Sequence, residues 1–150
     1  MKSAHNVYMC IAYDLYRLSR DLHRSRVPLL PWLIFRFSRI AFKTVLPYTA
    51  SIGRNTILNW SGLGVVIHDH TVIGENCVIG HDVTIGGRSY DDRVPVLGNR
   101  VFVGVGAKII GPVKIGDNAT VGANAVVMED VPANAIVAGI PARIIRYKAT

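Results

Sequence analysis

Residues 97–127 read LGNRVFVGVGAKIIGPVKIGDNATVGANAVV, and an aliphatic residue returns at every sixth position: Leu97, Val103, Ile109, Ile115, Val121 and Val127. Glycine follows it at Gly98, Gly104, Gly116 and Gly122. Four positions after each aliphatic stands a small or β-branched residue: Val101, Ala107, Val113, Ala119, Ala125 and Val131. A period of six matches neither an α-helix nor an alternating strand. It suits a chain that runs one short strand, turns one corner and repeats, with the aliphatic side chain inward and glycine at the tight corner. Three hexads close a triangular coil of about eighteen residues, and since one coil cannot bury its own face, coils stack into a prism.

The register continues outward from this stretch. Upstream it reads Ile67-His68, Ile73-Gly74, Ile79-Gly80 and Ile85-Gly86, with Thr71, Cys77 and Val83 as the small partners. An earlier hexad, Ile52-Gly53-Arg54-Asn55-Thr56-Ile57, starts the prism. The register slips twice, between Leu58 and Val66 and between Gly87 and Val96. Breaks in so regular an array are where a functional site is expected.

Ahead of Pro47 the pattern is helical. Tyr8, Ile11, Ala12, Leu15, Leu18, Ser19 and Leu22 recur at steps of three and four, which predicts a helix capped by Asn6 and broken at Ser25 to Pro28. A second helix is expected from near Pro31, with Leu33, Ile34, Phe37, Ile40 and Ala41 on one side. The chain thus divides into an amphipathic helical segment at 1–46 and a β domain at 47–150, with a loop at 88–96 and a C-terminal tail.

The 150 residues carry a net charge of +7, and much of the excess precedes residue 44. Arg17, Arg20, Arg24, Arg26, Arg36, Arg39 and Lys43 stand there among Leu, Ile, Phe and Trp. Cations mixed with large apolar residues suit an anionic membrane surface better than nucleic acid, so no nucleic-acid partner is expected. Peripheral membrane contact through residues 1–42 and capping of the prism by the two helices are compatible readings. Pro28, Pro31, Arg36 and Arg39 interrupt the apolar run from Val27 to Ile40, which argues against a bilayer span. With no signal-peptide pattern and with Cys10 and Cys77 read as free thiols, a cytoplasmic setting is expected, at the inner face of the membrane if the helices bind it.

Four motifs carry a resemblance: Gly64-Val65-Val66-Ile67, Val83-Thr84-Ile85-Gly86-Gly87, Gly104-Val105-Gly106-Ala107-Lys108-Ile109-Ile110-Gly111, and Val137-Ala138-Gly139-Ile140-Pro141-Ala142-Arg143. With them the chain resembles the hexapeptide-repeat acyltransferases, specifically short relatives of serine acetyltransferase among glycan-modifying enzymes. The resemblance runs from Leu15-Tyr16-Arg17 to Arg146. It implies a mainly β fold, a left-handed parallel β-helix preceded by two short amphipathic α-helices. It further implies homotrimers that bind acetyl-CoA between neighbouring prisms, a histidine base acting on an acceptor hydroxyl, and no metal. On this basis Gly87, Gly104, Val105 and Ala123 line the pantetheine arm, Lys108, Arg143 and Arg146 meet the CoA phosphates, and Arg93 matches the arginine that holds the serine carboxylate.

The acceptor half departs from the family. Trp60-Ser61 stands where the Asp-His pair precedes Gly64, and Val94 replaces the histidine that follows the arginine. His81 beside Asp82, at the third and fourth positions of a hexad, is the first candidate for the base; His68, in place of a corner glycine, is the second, and His70 is expected to face outward. Arg93, Tyr90, Asp92 and Trp60 are the candidate acceptor residues, with Arg88–Arg93 expected to leave the prism and cover them. The leading expectation is O-acetylation of a sugar, glycan precursor or other small hydroxyl compound. L-serine is the alternative acceptor, and two other readings remain: a zinc hydratase using His68, His70 and His81, and a non-catalytic trimeric scaffold.

Overall fold

The structure, a computed structural model, describes residues 10–89 and 91–149. Asn6 and Tyr8, expected in the first helix, and Tyr90, expected at the acceptor, lie outside the described residues. Two helices lead, α1 (Ile11–Arg24) and α2 (Leu30–Ala41). The strands follow as β1 (Ser51–Ile52), β2 (Ile57–Leu58), β3 (Val66–Ile67), β4 (Val72–Ile73), β5 (Val78–Ile79), β6 (Thr84–Gly86) and β7 (Val96–Leu97). The remainder are β8 (Phe102–Val103), β9 (Lys108–Ile110), β10 (Lys114–Ile115), β11 (Thr120–Val121), β12 (Val126–Val127), β13 (Ala135–Ala138) and β14 (Arg143–Tyr147).

Each hexad yields one short strand, and these strands stack into the three faces of a left-handed parallel β-helix, with β14 returning antiparallel against β13. The first face stacks β1, β4, β7 and β10; the second β2, β5, β8, β11, β13 and β14; the third β3, β6, β9 and β12. The periodic aliphatics form one column per face. Leu58, Ile79, Val103, Val121 and Val137 lie above one another, as do Ile67, Ile85, Ile109 and Val127. All of these are at most 2% exposed, with Cys77, Val83, Ala107, Ala119 and Ala125 between the columns at 0%. Burial desolvates the Cys77 thiol and pushes its pKa up, so this cysteine packs as an inert apolar group.

Many corners are turned by one residue in the left-handed region, at the fourth hexad position: Asn55, Asn76, Asp82, Arg100, Asn118, Asn124 and Asn134, with φ between 54° and 62°. Asn and Asp tolerate that region best among residues with a side chain. The glycine two positions earlier answers a different need. A Cβ on Gly104 would meet the backbone nitrogen of Ala123 at 2.5 Å, so only glycine lets consecutive coils approach.

Both register slips are insertions at corners. Leu58 and Ile67 are nine positions apart and Ile85 and Leu97 twelve, instead of six, yet pairing above and below is undisturbed. The first insertion is a 3-10 turn over Asn59–Gly62, and the second is the 87–95 loop.

α1 closes the amino-terminal end of the prism. The Tyr16 hydroxyl donates to Ala50 O at 2.7 Å and accepts from Ile52 N at 3.1 Å, while the Tyr13 hydroxyl donates to Gly53 O at 2.8 Å. Arg20 donates to Ala50 O as well, so this cation is committed to the prism rather than free for phosphates as the sequence suggested. The buried face of α1 is Ala12, Tyr16 and Ser19, and Ile11 and Leu18 point outward. Of the expected apolar face, Ala12 and Ser19 are buried and Leu15 and Leu22 half-buried, while Ile11 and Leu18 turn outward; Tyr16 joins the core instead, and its hydroxyl answers polar groups of an open strand edge. In α2 the buried residues are Pro31 and Ser38, and Leu33, Phe37 and Ile40 of the expected apolar side are exposed rather than packed on the prism.

Candidate functional site

The triangular coil places chemistry at its edges. Between the second and third faces one corner stacks on the next: Trp60 to Gly64, then His81-Asp82, then Val105-Gly106, then Ala123-Asn124, then Gly139 to Ala142. The rungs are tied by Asp82 N donating to Leu63 O, Gly106 N to His81 O, Asn124 N to Val105 O and Val126 N to Gly139 O. Between the third and first faces lie His68-Asp69-His70, the 87–95 loop, Gly111-Pro112 and Met128 to Asp130.

On the first of these edges, His81 is half-buried and its Nδ1 is buried with no hydrogen-bond partner among the described residues. Buried polar atoms are paired as a rule, and an unpaired ring nitrogen is one of the exceptions that calls for an explanation. Asp82 does not supply it. Its backbone turns the corner at φ 56°, and its carboxylate occupies the space that a Cβ on Gly64 would need. The expected His81–Asp82 pairing is thus corrected: the acid is a corner residue that packs on the coil below. Lys108 reaches back along this edge and donates from Nζ to Asp82 O at 2.5 Å. Val105 and Ala123 are exposed on it above His81, and Gly104 is buried at its corner.

At the foot of this edge is a cleft of about 560 Å³ lined by Ala41, Phe42, Asn59, Trp60, Ser61 and Leu63. Trp60 and Ser61 are both left-handed, with φ 54° and 55°, and Trp60 is 76% exposed. Two consecutive non-glycine residues in this region are strained, an arrangement that concentrates at functional sites. Ala41 and Phe42 come from the end of α2, and sequence reasoning missed them; the slip after Leu58 was the available signal for the rest.

The other edge gathers the remaining candidates. The His68 and His70 Nδ1 atoms lie 2.7 and 3.1 Å from Asp69 Oδ1, so Asp69, which sequence reasoning passed over, is the carboxylate that orients histidine here. His70 faces outward as expected. His81 is not part of this cluster, so the zinc reading needs its third histidine from a second subunit, as that reading supposes. Arg93 forks onto Asp91, with Nε to Oδ1 at 3.0 Å and Nη2 to Oδ2 at 2.8 Å, and its backbone N donates to Oδ1 at 3.0 Å. The guanidinium holds the Asp91 carboxyl below the usual carboxylate range, chiefly through its side-chain hydrogen bonds. The loop folds back on its own base, with Arg88 bridging Asp91 and resting against Gly111. Gly87 is half-buried at the loop's start, and Asp92 is exposed.

The two edges are separated by a whole prism face. About five residues of extended chain cross it, roughly 15 Å, far beyond the ~3 Å of a proton transfer. His81 and Arg93 of one chain therefore do not form one catalytic constellation. Arg143 and Arg146 lie on β14 at the carboxyl end; Arg143 follows the last turn of the first edge and approaches Glu129 of the second at 3.6 Å.

Comparison with known proteins follows this geometry. The family described as bacterial transferase hexapeptide (six repeats) matches residues 95–128, and hexapeptide repeat of succinyl-transferase matches residues 70–90. The serine acetyltransferase of Helicobacter pylori strain J99 is 39% identical over 87% of this chain and 77% of its own. That of Synechococcus elongatus is 37% identical over 87% of this chain and 54% of its own. Among solved structures, the Brucella abortus serine acetyltransferase in complex with coenzyme A superposes with a TM-score of 0.89 at 31% identity, covering 95% of this chain and 58% of that one. The chain spans about half the length of the Synechococcus relative and of that structure.

Proposed function

Because this chain belongs to the serine acetyltransferase family of hexapeptide-repeat transferases, we propose that it transfers an acetyl group from acetyl-CoA to a hydroxyl, with His81 as general base. The observation that carries the assignment is the place of half-buried His81 on the same edge as the corners of Gly104, Val105 and Ala123; its Nδ1 is buried without a partner among the described residues, which leaves Nε2 as the nitrogen to meet an acceptor. A hydroxyl attacks a thioester well only as its proton departs, and an imidazole within hydrogen-bond reach can take it. Acetyl-CoA supplies the activated acyl group. Of the chain's own groups, the exposed backbone at Val105 and Ala123 lines the arm, and the Arg143 and Arg146 guanidiniums suit its phosphates.

The site is shared in this proposal. With His81 on one edge and Gly87 and Arg93 on another, two prisms must lie side by side to bring them together, which supports a homotrimer with sites between subunits. The outward strand positions Val66, Val72, Val96 and Phe102, each 39–44% exposed, offer apolar faces for such contacts. A cytoplasmic setting is part of the same proposal.

As acceptor we take L-serine first. The relatives above bear that substrate in their names, which favours it over the sugar that the sequence suggested. Arg93 has the fork geometry that binds a carboxylate, and a serine carboxylate would have to displace Asp91 from it. A second reading, a glycan acceptor, rests on Trp60, whose exposed ring beside the cleft offers a stacking surface where the family's acid–histidine pair is missing. Thiol release from acetyl-CoA, measured against L-serine and a panel of sugars, decides between them. Release with neither acceptor, together with no protection by acetyl-CoA against thermal unfolding, would leave the scaffold reading.

A further inference from the structure

α2 has one face that the rest of the chain uses and one that it does not. On the used face Pro31 and Ser38 are buried, Ile34 and Phe35 are half-buried, and Ser19 donates from Oγ to Pro31 O at 2.8 Å. At 3.6 residues per turn the opposite side carries Trp32, Leu33, Phe37 and Ile40, exposed at 50, 52, 58 and 78%. Leu29 and Leu30 extend this strip at its amino end. Single exposed apolar residues are ordinary on a protein surface, but a contiguous strip of six marks an interaction face.

The borders of the strip say what covers it. Arg36, Arg39 and, just past the helix, Lys43 are exposed along one side, and the Arg36 guanidinium lies 5.5 Å from the centre of the Trp32 ring. No acidic residue occurs between Asp21 and Asp69. Face-to-face pairing of two copies through this strip is a poor fit, because it sets cation against cation with no carboxylate from either helix to answer them. An apolar strip bordered by cations and holding a tryptophan matches a helix lying in the plane of an anionic bilayer, with apolar side chains in the acyl boundary and cations at the headgroups. We propose that the outward face of α2, from Leu29 to Lys43, docks this protein on an anionic lipid bilayer. The proposal goes beyond acetyl transfer and holds for either acceptor. If the cleft is read as the acceptor site, docking sets it at the bilayer surface, because Ala41 and Phe42 line it from the end of the same helix.

The test is co-sedimentation of the full chain with vesicles of phosphatidylcholine alone or mixed with phosphatidylglycerol. We expect at least about tenfold stronger binding to the anionic vesicles, reduced by raising salt to about 0.5 M, where headgroup attraction is screened. Phe37→Glu with Ile40→Glu should abolish binding, and Arg36→Gln with Arg39→Gln should remove its salt-sensitive part. These side chains are exposed, so circular dichroism and acetyl-CoA binding should be unchanged. In a Trp60→Phe background, the Trp32 emission of otherwise native protein should shift to the blue on anionic vesicles, a readout that needs no charged substitution in the apolar strip. Absence of vesicle binding by the native chain would overturn the proposal. So would binding that ignores the Phe37 and Ile40 substitutions, or a fall in molar mass on making them, which would reveal a second copy on this face.

Discussion

His81 and Asp91 show how differently two exposed-edge residues can be committed. The His81 ring nitrogen has nothing to hold, whereas the Asp91 carboxylate is saturated by Arg93. For His81→Ala we expect acetyl transfer to fall by about 10²–10⁴-fold, the range for a lost general base. Protection by acetyl-CoA against thermal unfolding should persist; full turnover in the variant would move the base elsewhere. For Asp91 the folded pKa lies below its ordinary value, so its pairing with Arg93 is present above the usual carboxylate range and is lost as pH falls through the lowered value. The Arg93 Nε–H resonance should therefore hold its position from about pH 5 to 8 and move only in stronger acid, below the ordinary carboxylate value of ~4. The sequence named His81 and Arg93 as candidates because each sat at a break or a corner. It could not show that Asp82 would spend itself on a left-handed corner while Asp69 took the orienting role, since both acids sit next to a histidine in the chain and only the turn geometry separates them.

At the scale of the element, α1 is a lid on an unpaired strand edge, and Tyr16 is its fastening. Tyr16→Phe removes a buried donor to Ala50 O and an acceptor from Ile52 N, leaving Ile52 N unanswered and Ala50 O to Arg20 alone. We expect a loss of about 1–3 kcal/mol in urea unfolding, the cost of stranding buried polar groups. A change under about 0.3 kcal/mol would mean that Arg20, which also reaches Ala50 O, suffices on its own. Both helices were legible from their apolar spacing and from Pro31. Their faces were not, because the apolar stripe of α2 reads the same whether it meets a core or a bilayer, and α1 buries a tyrosine and a serine for their hydrogen bonds. Within the prism, legibility was nearly complete: a strict period of six leaves one residue type per position, so Ile67, Ile79 and Ile109 could be placed in the core unaided. Ile109→Ala should cost about 2–5 kcal/mol by chemical denaturation, since the stacked columns cannot collapse into the void.

The whole molecule raises the question of which chain completes which site. If the site pairs the His81 edge of one protomer with the Arg93 edge of the next, two inactive variants should rescue each other. Co-folded in equal amounts, His81→Ala and Arg93→Ala chains assort so that about a quarter of the interfaces carry both native edges. Transfer at about that fraction of native activity is the expected result, and none at all would place both groups in one chain.

The undisturbed pairing of the coils also makes the prism a ruler. His81 lies three rungs below the Gly139 to Ala142 turn, and rungs are about 4.8 Å apart, so that edge measures about 14 Å between base and carboxyl end. The interval is counted in whole coils, and no corner insertion can alter it, because the loops at 59–62 and 87–95 bulge sideways without adding height. Only the gain or loss of an entire turn would change the gauge. Such a step, about 4.8 Å, would be as large as roughly four carbon–carbon bonds of an extended arm, so the length of any cofactor that serves this edge is written in the number of coils.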